Sequence, residues 1–129
     1  MKNLEQVRAA AALPVAGQTT KADANALPAM LIANGLLATA AFANEKTKKG
    51  VPKRREMQAV INGVARHLAS ADIGITPGAT DTDSLIKKLT DPQDVQANSV
   101  RLQRATAETL LFIGYVKRFA TKEKSGSKD

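Results

Sequence analysis

The sequence predicts an all-α fold: a compact bundle of about five to six helices with a long C-terminal helix. Two patterns carry that reading. Apolar residues recur at three- and four-residue spacing along most of the chain, and period-two alternation is nearly absent. Length sets the scale, since 129 residues are enough for one core without disulfides or metals. Residues 1–121 are therefore expected to form a single helical domain. The tail 122–129, KEKSGSKD, is disordered by composition.

The first helix is predicted over residues 2–13, with Leu4, Val7 and Ala11 on one face and Pro14 ending it. A small, polar linker through Gly17 and Asp23 follows. The second helix is expected to start near Leu27, with Pro28 in its first turn. Residues 24–44 carry no charge, a stretch long enough to span a membrane. Eight of those residues are alanine, and Asn25, Asn34 and Asn44 would need partners in lipid. The segment therefore reads as a central helix surrounded by others, with Gly35 as a position for close helix crossing.

The third helix carries Met57, Val60, Ile61, Val64 and Leu68 on one face and Arg55, Ala59, Asn62 and Arg66 on the other. Residues 72–81, with Gly74, Pro77 and Gly78, read as a loop. A short fourth helix holds Leu85, Ile86 and Leu89. Asp91-Pro92 has the form of a helix start, an acidic N-cap before proline. The last helix is predicted to reach about Thr121, with a break near Ala97–Ser99. Leu102, Ala105, Thr109, Phe112, Val116 and Phe119 form its core seam.

Chemistry is sparse. The absence of cysteine excludes disulfides, a thiol nucleophile and a Cys-ligated zinc site. His67 is the one histidine and reads as a packed side chain rather than a general base or ligand. Asp81 and Asp83 are spaced to hold Mg²⁺, but two acids before a helix more often stabilise its positive end. Neither GxxxxGK[ST] nor GxGxxG occurs. No enzymatic activity, metal, cofactor or small-molecule substrate is expected.

Charge is the informative quantity. Nineteen Lys and Arg against twelve Asp and Glu give a formal net charge of +7, which favours polyanionic partners. Six cations fall within residues 46–55, KTKKGVPKRR: Lys46, Lys48, Lys49, Lys53, Arg54 and Arg55. Gly50 and Pro52 make this a loop, and a basic loop can track a phosphate backbone whatever its sequence. A second set, Arg104, Glu108, Leu111, Tyr115, Arg118 and Lys122, lines the last helix away from the core seam. There Glu108 is placed to pair with Arg104 one turn earlier. Leu111 and Tyr115 suit contact with a protein neighbour better than base stacking.

Two segments, LPAMLIANGLLATAAF (27–42) and RATAETLLFIGYVKRFA (104–120), carry a resemblance. They resemble the signature helices of the small subunit of the Cmr-type, type III-B CRISPR effector complex. Pro28, Asn34, Gly35 and Leu36 match the first signature. Thr106, Glu108, Leu110, Lys117, Arg118, Phe119 and Ala120 match the second. Tyr115 and Gln103 stand where members often carry tryptophan and tyrosine. The resemblance implies a cytoplasmic antiviral ribonucleoprotein in which copies of this chain stack beside other complex subunits. It also implies that they line the channel of the guide and target RNA without cleaving it. The RNA-binding candidates are then Lys46, Lys48, Lys49, Lys53, Arg54 and Arg55, with Arg66, Arg104 and Arg118 secondary. Leu111 and Tyr115 are the subunit-contact candidates, and no membrane is involved. The alternative is a helical DNA-binding regulator that reads bases with Arg55, Asn62 and Arg66 of the third helix.

Overall fold

A computed structural model describes residues 3–94 and 98–122 of the chain. Among these, five helices follow one another: α1 (Leu4–Ala16), α2 (Lys21–Ala43), α3 (Arg55–Ala69), α4 (Thr82–Thr90) and α5 (Ser99–Phe119). No sheet forms among the described residues; an isolated antiparallel bridge joins Lys46 and Pro52. The all-α expectation holds. α5 packs between α1 and α2, α3 lies against both of these, and α4 closes over α2 and α3. One cluster of buried side chains draws on all five helices, with Leu27, Leu31, Leu36, Ile61, Leu68, Leu85, Phe112 and Ile113 at its centre.

Several boundaries differ from expectation for local reasons. Pro14 does not end α1, which runs on to Ala16. The lost hydrogen bond would have been to the carbonyl of Ala10, and Ala10 and Pro14 are both exposed, where water can take that carbonyl. The buried face of α1 is Ala12, Val15 and Ala16, while Leu4 is exposed. α2 begins at Lys21 rather than near Leu27, because Thr20 caps it by accepting the Asp23 N–H at 3.2 Å. Pro28 therefore sits inside the helix. Asp91 does not start a helix: it ends α4, and its side chain accepts the Gln93 N–H at 2.9 Å in a turn. α5 starts instead at Ser99, where Asn98 accepts the Arg101 N–H at 3.0 Å. Of the expected break near Ala97–Ser99, residues 95–97 lie outside the described residues, as do residues 123–129 of the tail.

Gly35 is the main departure. Its φ of 82° and ψ of 171° break α2 into segments 21–34 and 36–43. That conformation is open essentially to glycine alone. Nothing lies within 4 Å of where a Cβ would sit, so the glycine serves the turn and not a close crossing. A straight helix of 23 residues would hold its ends about 33 Å apart. Here both ends meet the start of α3: Thr19 Oγ1 donates to the Glu56 carbonyl at 2.9 Å, and Arg54 donates to the Phe42 carbonyl at 3.1 Å. The chain therefore doubles back at Gly35. The break frees the Leu36 N–H, and Thr106 Oγ1 on α5 accepts it at 3.1 Å.

The reversal also changes the status of the long apolar run. By length and composition α2 could cross a membrane, but it is broken midway and its ends are adjacent. Nor is it wholly surrounded by other helices. Only a third of its most apolar stretch is buried, and Ile32 is 75% exposed.

Candidate nucleic-acid interface

The basic stretch 46–55 connects α2 to α3 as a hydrogen-bonded hairpin. The Thr47 N–H donates to the Val51 carbonyl at 2.8 Å, the Gly50 N–H to the Thr47 carbonyl at 2.9 Å, and the Lys53 N–H to the Glu45 carbonyl at 3.0 Å. Gly50, at φ 81°, supplies the left-handed residue that the tight turn needs. Lys46, Lys48, Lys49, Lys53 and Arg55 are exposed on this frame. None of the five makes an ion pair among the described residues.

Arg54 is the exception within the stretch. Its guanidinium lies 3.5 Å above the centre of the Phe42 ring, donates to the Phe42 carbonyl, and pairs with Glu45 at 2.8 Å. It fastens the end of α2 to the start of α3 and so fixes the hairpin that displays the other cations. The sequence offered no sign of this, because Phe42 becomes its neighbour only through the fold.

The remaining candidates do not gather at the hairpin. Arg66 is exposed near the far end of α3, about 16 Å along the helix from Arg55. Arg104 is exposed toward the start of α5, and Arg118, near its end, donates to the Gly114 carbonyl at 3.1 Å. Leu111 is 52% exposed. Tyr115 is half-buried: its hydroxyl donates to Glu5 at 3.2 Å and its ring lies 6.1 Å from that of Phe119. These contacts hold it against α1.

Glu108 is not paired with Arg104. It turns from the outer face of α5 toward α1, where the Arg8 guanidinium donates both Nε and Nη2 to its carboxylate at 2.7 and 2.8 Å. His67 Nε2 lies 2.9 Å from the same carboxylate, and its ring stacks on Phe112 at 4.7 Å. The reading of His67 as a packed side chain holds. Burial pushes the Glu108 acid upward, but the hydrogen bonds from Arg8 and His67 and their charges outweigh this and hold the carboxyl below its ordinary range. The same pair raises Arg8 further. This cluster ties α1, α3 and α5 together.

The acids weighed as a metal site have other roles. The Asp81 side chain accepts the Ser84 N–H at 2.8 Å as the N-cap of α4, and those Ser84 hydrogen bonds lower its pKa. Asp83 pairs with Lys87 one turn on, at 3.0 Å. Asn62, proposed as a base reader on α3, accepts both the backbone N–H and the hydroxyl of Thr82, at 2.8 and 2.7 Å. It is covered by α4 and does not share a free face with Arg55 and Arg66.

Compared with known proteins, residues 3–123 match the family model described as CRISPR-associated protein (Cas_Cmr5). No curated protein and no solved structure matches the chain.

Proposed function

The chain belongs to the Cas_Cmr5 family, a small subunit of the type III-B CRISPR complex, and from that premise we propose that it is a non-catalytic, cytoplasmic RNA-handling part of that complex. Several copies stack beside other complex subunits and line the guide–target RNA channel. The observation that carries this reading is the hairpin: Lys46, Lys48, Lys49, Lys53 and Arg55 stand exposed, without an ion pair among the described residues, on a frame fixed by hydrogen bonds. Such a frame neutralises phosphates by charge and position, without reading bases. Arg54 supports it from beneath. Arg66, Arg104 and Arg118 are further phosphate contacts on other faces, and exposed Leu111 is the better placed of the two subunit-contact candidates.

A non-catalytic role is supported by the ties of the acids and the histidine. Asp81 caps a helix, Asp83 pairs with Lys87, and His67 is buried against Glu108. The regulator reading loses one of its three base-reading side chains, because Asn62 is taken up by the N–H and hydroxyl of Thr82 at the start of α4.

Binding of short RNAs of unrelated sequence across a salt series tests the proposal. Affinity should be nearly independent of sequence and fall with salt, at about −0.7 in log–log slope per contacted phosphate on single strands. Enrichment of one motif from a random duplex pool would support the regulator and refute the RNA-handling role.

A further inference from the structure

At the base of the hairpin lies a cleft of about 610 Å³, lined among others by Thr20, Pro52, Lys53, Arg55, Glu56 and Lys122. Three of these residues are cations, and they come from two distant parts of the chain: the hairpin and first turn of α3, and the segment after α5. None of the three side chains has an ion-pair partner among the described residues. Glu56 is the single acid of the lining.

The walls are tied to one another. Buried Thr19 donates its hydroxyl to the Glu56 carbonyl at 2.9 Å, joining the linker before α2 to α3. The Lys21 N–H donates to the Lys122 carbonyl at 2.9 Å, joining the start of α2 to the segment after α5. The cations are thus carried on fixed backbone around a set space. Into the same cleft runs the start of α3, whose N-cap, Arg54, makes no side-chain capping hydrogen bond. Its first-turn N–H groups remain available as donors beside the three cations.

We infer that this cleft is a socket for one phosphate group, held by Lys53, Arg55 and Lys122 with the first-turn amides of α3. The inference rests on the RNA-handling reading and deepens it: the hairpin attracts the polyanion, and the socket seats a single phosphate at a fixed place. Lys122 is the residue it adds. The chemistry is shared by an internal phosphodiester, a terminal phosphate of RNA and free phosphate.

The test uses the full chain, isotope-labelled, titrated with inorganic phosphate and followed by amide NMR. Shifts should concentrate on the amides of Arg55, Glu56 and Met57 and on Lys122. Lys122→Glu should abolish them, and Lys87→Glu, at an exposed position of α4, should leave them unchanged. In a second arm, anisotropy with RNA carrying or lacking a 5′-phosphate, Lys122→Glu should weaken binding several-fold and reduce the salt slope by about 0.7. A loss confined to the phosphorylated RNA marks the terminal group as the ligand; an equal loss on both marks the internal backbone. Diffuse or absent phosphate shifts, or RNA binding indifferent to Lys122→Glu, would overturn the socket. If RNA binding still fell on reversing Lys48 and Lys49, the RNA-handling reading would survive that failure. If phosphate seated at the socket while no hairpin reversal affected RNA, that reading would fall instead.

Discussion

The hairpin at residues 46–55 and the Arg8–Glu108–His67 cluster are both built around cations, and the fold treats them in opposite ways. In the cluster the Arg8 and Glu108 side chains are 13% and 11% exposed, and every charge meets a partner on another helix. On the hairpin five cations are exposed with no ion pair among the described residues, and the backbone beneath them is tied down. Buried charge left unpaired would cost several kcal/mol, so the cluster must be complete for α1 to dock. Exposed charge costs little to leave unpaired, so the hairpin can hold cations ready for a partner. Stability and binding should therefore separate cleanly between the two regions.

The largest expected effect is on the cluster. Arg8→Ala leaves the Glu108 carboxylate without its bidentate partner and should cost about 3 kcal/mol in urea unfolding. RNA affinity of the folded fraction should be unchanged. A loss below about 0.5 kcal/mol would mean that α1 docks without the pair.

Gly35→Ala comes next and asks whether the hairpin depends on the reversal of α2. A Cβ at φ 82° and ψ 171° should cost about 1–3 kcal/mol. If the mutant binds RNA normally once folded, the reversal serves the fold alone. Thr106→Val removes the acceptor of the Leu36 N–H and should cost about 1 kcal/mol, with RNA binding intact.

The smallest effect is titration of the cluster. The folded Glu108 carboxyl lies below its unfolded value, so its contribution is complete above the ordinary glutamate pKa of about 4.5. That contribution declines as pH falls through the lower folded value. Urea unfolding between pH 7 and pH 3 should show this loss, and Glu108→Gln should flatten the acid side of the profile. An unaltered profile would show that the carboxylate is not preferentially stabilised in the fold.

Local chemistry was legible in the sequence. The helical spacing, the core seam Ala105–Thr109–Phe112–Val116, the Asp81 cap and the run of cations all follow from residues close together in the chain. The misreadings arise where a distant partner decides. Glu108 has Arg104 four residues away, but the fold brings it Arg8, one hundred residues distant. Arg54 is indistinguishable from its neighbours until Phe42 lies beneath it. Gly35 in a continuous apolar run looks like a helix residue, and only Thr106 across the core explains how the break is satisfied. Lys122 in a polar tail gave no sign that it would face Lys53 and Arg55.

The most direct test of the central claim is a single protein carrying Lys48→Glu, Lys49→Glu, Lys53→Glu and Arg55→Glu, measured for RNA affinity and unfolding free energy. The separation of roles predicts at least a tenfold loss of RNA affinity with stability within about 0.5 kcal/mol of the parent. Unchanged affinity, or a loss that appears only together with unfolding, would contradict it.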